Sequence, residues 1–98
     1  MDVTHDGPAI TLAGHLDGRS AARVRQALHG AIEDNPGQDL VLNFSAVEWI
    51  DLTALRVLAA CAVRLERTGR RLVLAGCTPA HLRLLARTGW RPLFHVQR

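Results

Sequence analysis

Two apolar runs restrict this chain more than anything else in it. They are Leu40-Val41-Leu42-Asn43-Phe44 and Leu72-Val73-Leu74-Ala75, the second opened by Arg71 and closed by Gly76. Neither alternates with polar residues, which is the pattern of strands covered on both faces in a parallel sheet. Between them, from about Leu52 to Thr68, apolar residues recur at helical spacing until Gly69. A strand, a helix and a parallel strand in that order make a right-handed crossover unit, so the chain is predicted to be α/β.

The flanking segments extend this pattern. Met1 to Thr4 and Ala9 to Gly14 read as two short strands joined by a turn at Asp6-Gly7-Pro8. After a loop, Ser20 is placed to cap a helix whose inward positions are Ala21, Val24, Leu28, Ala31 and Ile32. Asp34-Asn35-Pro36-Gly37 stops it. Thr78-Pro79 opens a third helix, with Leu82, Leu85 and Ala86 inward and Thr88-Gly89 at its end. A last strand is expected over Leu93 to Val96. The order β-β-α-β-α-β-α-β predicts one domain over residues 1–98, a small mixed sheet packed by three to four helices.

Composition narrows the function classes. All 12 basic residues are arginine, for a net charge of +3, yet they are scattered over three predicted helices and only 4% of residues are aromatic. A nucleic-acid surface needs a basic face with stacking or groove-reading residues, so no nucleic-acid partner is expected. No apolar run approaches the roughly 20 residues of a spanning helix, so no membrane insertion is expected and the chain is expected to be cytoplasmic. Cys61 and Cys77 have no CxxC pairing and read as two buried reduced thiols. The five histidines (His5, His15, His29, His81 and His95) lack metal-ligand spacing and read as surface or boundary residues. With no nucleophile–base pair and no phosphate loop either, neither catalytic residues, a metal nor a cofactor is expected.

The candidate site lies where the first apolar run gives way to the central helix, at Trp49-Ile50-Asp51-Leu52-Thr53-Ala54-Leu55. Asp51 is placed as the helix N-cap. At about 100° per residue, Ala54, Leu55, Leu58, Cys61, Ala62 and Leu65 share the core face. Thr53, Arg56, Ala60, Arg64 and Arg67 lie opposite. Leu52, Ala59 and Val63 occupy a flank, apolar but outside the core sector. Together these positions offer either a tuck against a neighbouring loop or a small docking surface rimmed by arginines. A phosphate on Thr53 would meet the free N–H groups of the first turn, with Arg56 one turn further on.

Two segments, Gly14-His15-Leu16-Asp17 and Ile50-Asp51-Leu52-Thr53-Ala54-Leu55, give the chain its resemblance to the STAS domain family of anti-sigma-factor antagonists. The family patterns are Gly-x-Leu-Asp and Asp-Ser-Ser/Thr-Gly-Leu, and the order of elements agrees along the whole chain. The resemblance implies a protein-interaction module that binds an anti-sigma factor of the serine-kinase type and so regulates sigma-factor-dependent transcription. It also implies that Asp17 lies beside the docking surface, with Asp51, Leu52, Thr53, Arg56 and Ala60 as partner-binding candidates. In the family, the kinase phosphorylates the serine straight after the aspartate. Here that position is Leu52, which has no hydroxyl, so Thr53 is the candidate acceptor that remains, and Ala54 replaces the usual glycine. The alternative is a non-phosphorylated STAS subunit of a lipid-transport ABC complex or a stress-signalling assembly.

Overall fold

A computed structural model describes residues 1–97. In chain order it contains β1 (Asp2–Asp6), β2 (Ala9–Leu16), α1 (Ala21–Asp34), β3 (Leu40–Ile50), α2 (Leu52–Glu66), β4 (Leu72–Ala75) and α3 (Pro79–Thr88). A 3₁₀ turn at Arg91–Leu93 and the short β5 (His95–Val96) complete it. The last predicted strand, Leu93 to Val96, is thus half turn and half strand, because the Leu93 and Phe94 N–H groups donate back to the Trp90 and Arg91 carbonyls within the turn.

The five strands lie side by side in chain order, β1 antiparallel to β2 and the rest parallel. Parallel strands in sequence order, joined by crossovers of one hand, carry their helices on one side of the sheet. Burial agrees. Ile10, Leu12, Leu16, Leu40, Leu42, Phe44, Leu72 and Leu74 are buried under the helices. Their alternates Ala9, Thr11, Ala13, Val41, Asn43, Val73 and Ala75 are only half-buried on the other face. The expectation of strands covered on both faces is therefore corrected. Apart from Asn43, the residues of the open face are small or β-branched, so an apolar run formed without a second helical layer to bury it.

Strand β3 is also longer than Leu40 to Phe44. It continues to Ile50 and pairs with β2 through two irregularities, at Thr11/Ala13 and Gly14/His15. Bulges of this kind break the period of two, so the second half of β3 shows no alternation in sequence. At the end of β4, Gly76 lies so close to β3 that a Cβ there would meet the Ser45 backbone nitrogen at 2.8 Å, and its φ is +72°. Glycine is required on both counts.

The five inward residues expected of α1 are all buried. Ser20 stands at the N-cap position as expected, but without the expected side-chain bond. Its hydroxyl is turned back into the preceding loop and accepts from the Asp17 N–H at 3.0 Å. In α2 the predicted core face is buried as read, together with Ala59, which closes against its neighbours because it is small. In α3, Ala86 is exposed and the inward position belongs to His81. His81 is not a surface or boundary residue. Its Nδ1 accepts the Thr78 N–H at 3.0 Å, while its own N–H donates to the Thr78 hydroxyl oxygen at 3.2 Å. Its ring meets Phe44 edge-on at 5.5 Å. Such a reciprocal cap satisfies the polar groups that would otherwise make a buried imidazole costly.

Arg70 is buried as well. It donates to the carbonyls of Gln38 at 2.9 Å and Ile32 at 3.1 Å, tying the end of α1 to the start of β4. Cys61 is a buried free thiol as expected, whereas Cys77 is only partly buried against the edge of the core.

Candidate functional site

Asp51 is the joint of the site. It leaves β3 in an extended conformation, and its Oδ1 accepts the Ala54 N–H at 2.9 Å, the N-cap bond the sequence predicts. Its second oxygen, Oδ2, accepts the Gly18 N–H at 3.0 Å. The Asp51 N–H donates to the Leu16 carbonyl at 3.0 Å. One carboxylate thus caps α2 and holds the loop after β2 against it. Gly18 faces Thr53 closely enough that a Cβ there would be 3.7 Å from the Thr53 methyl. The two segments singled out in sequence do converge.

Asp17 itself serves that loop. Its Oδ1 accepts N–H groups of Arg19 at 2.9 Å and Ser20 at 3.2 Å. Partial desolvation acts to raise the pKa of this carboxyl. The backbone donors of Ser20 and Arg19, the Ser20 hydroxyl and the Arg19 charge outweigh that effect and hold it below the ordinary aspartate value. Asp17 lines a shallow depression with Met1, His15, Arg19 and Arg23, separate from the cavities along α2. It shapes the loop beside the α2 start and does not share a cavity with Arg56 or Ala60.

On either side of the exposed ridge of α2 lies an apolar groove. The first, between α1 and α2, has a volume of about 500 Å³ and includes Thr53, Arg56 and Ala60 of the predicted set. The second, of about 440 Å³, runs between α2 and α3 and joins Leu52 and Arg56 to Leu84, Arg87 and Trp90. Arg56 forms part of both rims. Within two residues of Asp51 in sequence stand the two exposed large hydrophobic residues among those described, Trp49 at 53% and Leu52 at 49%. Trp49 meets His15 edge-on at 6.2 Å, and His15 in turn pairs with Glu48 at 3.1 Å. Both partners of that pair are exposed, so it contributes little to stability.

A family model described as "Mlab, STAS domain" matches residues 1–94. The chain belongs to the STAS domain family. The anti-sigma-F factor antagonist RsfB of Mycobacterium tuberculosis is 32% identical over 89 residues, covering 86% of this chain and 72% of RsfB. Two solved structures share the fold of this STAS domain at lower identity. A variant of RsbS from Moorella thermoacetica superposes with a TM-score of 0.77 at 24% identity, over 98% of this chain and 84% of that one. The Bacillus cell fate determinant SpoIIAA in its phosphorylated form gives 0.71 at 18%, over 99% and 90%.

The grooves of this STAS domain also hold residues that no sequence motif marks. Arg25 and His29, one turn apart on the exposed side of α1, form the far wall of the first groove. Trp90 and Arg87 belong to the second. The spacing of Arg25 and His29 marks a solvent-facing helix side, but only the packing of α1, α2 and α3 side by side reveals which residues face one another.

Proposed function

We propose that this STAS domain is an anti-sigma-factor antagonist, a protein-interaction module that binds an anti-sigma factor and so controls how much sigma factor is free for transcription. The observation that carries the reading is the surface at the start of α2, where exposed Trp49 and Leu52 flank the capped Asp51. Solvent-exposed large hydrophobic side chains beside a rigid, hydrogen-bonded turn are what a protein partner buries as anchors. The 32% identity to RsfB supports the same reading. On it, the docking surface comprises Asp51, Leu52, Thr53, Arg56 and Ala60, with the loop shaped by Asp17 at its edge, and the domain works in the cytoplasm.

Position 52 is closed to phosphorylation because leucine has no hydroxyl. Thr53, the hydroxyl left in the first turn of α2, points about 100° away around the helix. A serine kinase fitted to position 52 therefore does not fit Thr53, and antagonism by this domain is constitutive with respect to that switch.

The test is a calorimetric titration with the anti-sigma factor of the same organism, followed by incubation with ATP and intact-mass measurement. Binding that Leu52→Glu weakens by about tenfold or more supports the reading, as a charge buried against a partner costs several kcal/mol. Absence of binding, or binding unchanged in both Leu52→Glu and Asp17→Arg, refutes it. The unmodified protein is expected to gain no phosphate, whereas Leu52→Ser is expected to gain one. An adduct mapped to Thr53 would overturn the constitutive reading while leaving the docking surface in place.

A further inference from the structure

The groove between α1 and α2 has features that the anti-sigma reading does not use. Its floor is Val57, Ala60 and Cys61, its near rim is Arg56 and Arg64 on α2, and its far rim is Arg25 and His29 on α1. No acidic residue lines it. Burial pushes the Cys61 thiol up, while the Arg64 and Arg25 charges pull the other way. The thiol is therefore neutral at physiological pH, and it is within electrostatic reach of both rims. The groove is an apolar trough whose formal charges are all positive.

Its length selects the occupant. From Thr53 to Arg64 is eleven residue steps along α2, or about 16 Å at 1.5 Å per step. The α2 residues that line it, Thr53, Arg56/Val57, Ala60/Cys61 and Arg64, follow a stripe of three helical turns. Arg56 and Arg64 are separated by eight residues, about 12 Å along the axis. A single anionic headgroup satisfies one end of such a rim and leaves the other end solvated. A helix with carboxylates on both margins of an apolar stripe matches the whole of it. Leucine-sized anchors at i, i+3 or i+4, and i+7 span about 10 Å and would lie along the trough from Thr53 to Cys61, where the small side chain of Ala60 leaves room for them. The exposed rim arginines supply orientation and on-rate, and the floor supplies the buried area.

We infer that the α1–α2 groove is a docking site for an acidic amphipathic helix of about three turns supplied by a protein partner. The inference comes from the lining of the groove and does not depend on that partner being an anti-sigma factor. It is tested with model peptides and the intact protein. A labelled peptide of about four turns, with leucines at i, i+3, i+4 and i+7 and glutamates on both margins, is titrated by fluorescence anisotropy. The contact is mapped by amide chemical shifts. The expected result is saturable binding that weakens with added salt, with shifts concentrated at Val57, Ala60, Cys61 and Arg64 of α2 and at Arg25 and His29 of α1.

Arg64→Glu is expected to weaken binding about tenfold or more, and Arg64→Lys much less. Ala60→Glu, at an exposed position of the floor, is expected to abolish binding while the circular dichroism spectrum stays unchanged. The inference is overturned if the glutamate peptide does not bind, or if its shifts map to the α2–α3 groove or the open sheet face. It is equally overturned if a peptide with lysine for glutamate binds as well. Finally, decanoate binding the same residues more tightly than the peptide would make the occupant a small amphiphile and not a helix.

Discussion

Replacing Asp51 with alanine separates what one carboxylate does for stability from what it does for the site. The substitution removes the acceptor of the Ala54 N–H, a side-chain N-cap typically worth about 1 kcal/mol. It also removes the acceptor of the Gly18 N–H, a hydrogen bond to a charged group near the surface that contributes about 1 kcal/mol more. Together the loss is about 2 kcal/mol, which in a domain of this size lowers the melting temperature by roughly 10 °C. Urea unfolding followed by circular dichroism measures it, and the slope should stay constant because the surface exposed on unfolding is unchanged. Asp51→Asn makes the test selective. Asparagine caps as well as aspartate through its carbonyl oxygen, but it places an NH₂ where Oδ2 accepts from Gly18. It should therefore lose about half as much stability, while hydrogen exchange at the Gly18 amide speeds up as it does in the alanine variant. A cost below about 0.5 kcal/mol for Asp51→Ala would refute the joint role of this residue, because even a weak cap exceeds that. So would an unchanged Gly18 amide.

Two further outcomes follow from the fold. Gly76→Ala forces a side chain into the left-handed region and against the Ser45 backbone, and is expected to cost about 3 kcal/mol or more by denaturant titration; a neutral result would mean that β3 and β4 are not in the register described. Burial lowers the pKa of His81 from its ordinary value, with the Val47 backbone working partly against it. The unfolded chain then binds a proton at a higher pH than the folded one. The stability that neutral His81 contributes is present above about pH 6.5 and lost as pH falls through that value toward the lower folded pKa, at up to about 1.4 kcal/mol per pH unit. Removing that slope with His81→Gln, measured as stability against pH between 7 and 5, checks the assignment; an identical slope in the variant would refute it.

Where neighbours in sequence decide the outcome, the chain was readable. The five buried residues of α1, the Asp51 cap and the Thr78-Pro79 helix start depend on periodicity and on side chains within four residues of one another. All stand as read, as does the strand–helix–strand unit around α2. The misreadings share a different character. Ser20 is a good capping residue in isolation, but Asp17 competes for its hydroxyl and its N–H. His81 read as a surface or boundary residue for want of metal-ligand spacing, and nothing in the sequence marked Arg70 as buried. They are buried because Phe44, edge-on against the His81 ring, and the two distant carbonyls that accept from Arg70 come from elsewhere in the chain, and no spacing announces such partners.

The same division holds for the site. Local sequence suffices to place a helix start at Leu52 behind an aspartate cap. It also determines that Thr53, Arg56 and Ala60 share the outer side of that helix and that position 52 offers no hydroxyl. Tertiary structure alone decided that Oδ2 of Asp51 ties down a loop 33 residues away in sequence. It alone decided that Arg25 and His29 face Arg56 and Arg64 across one trough, and that the sheet is covered on a single face. Helical phase is fixed locally by backbone geometry, so a sequence shows which residues face outward. What an outward face meets depends on how whole elements pack, and that is set by the summed burial of the core beneath α1, α2 and α3.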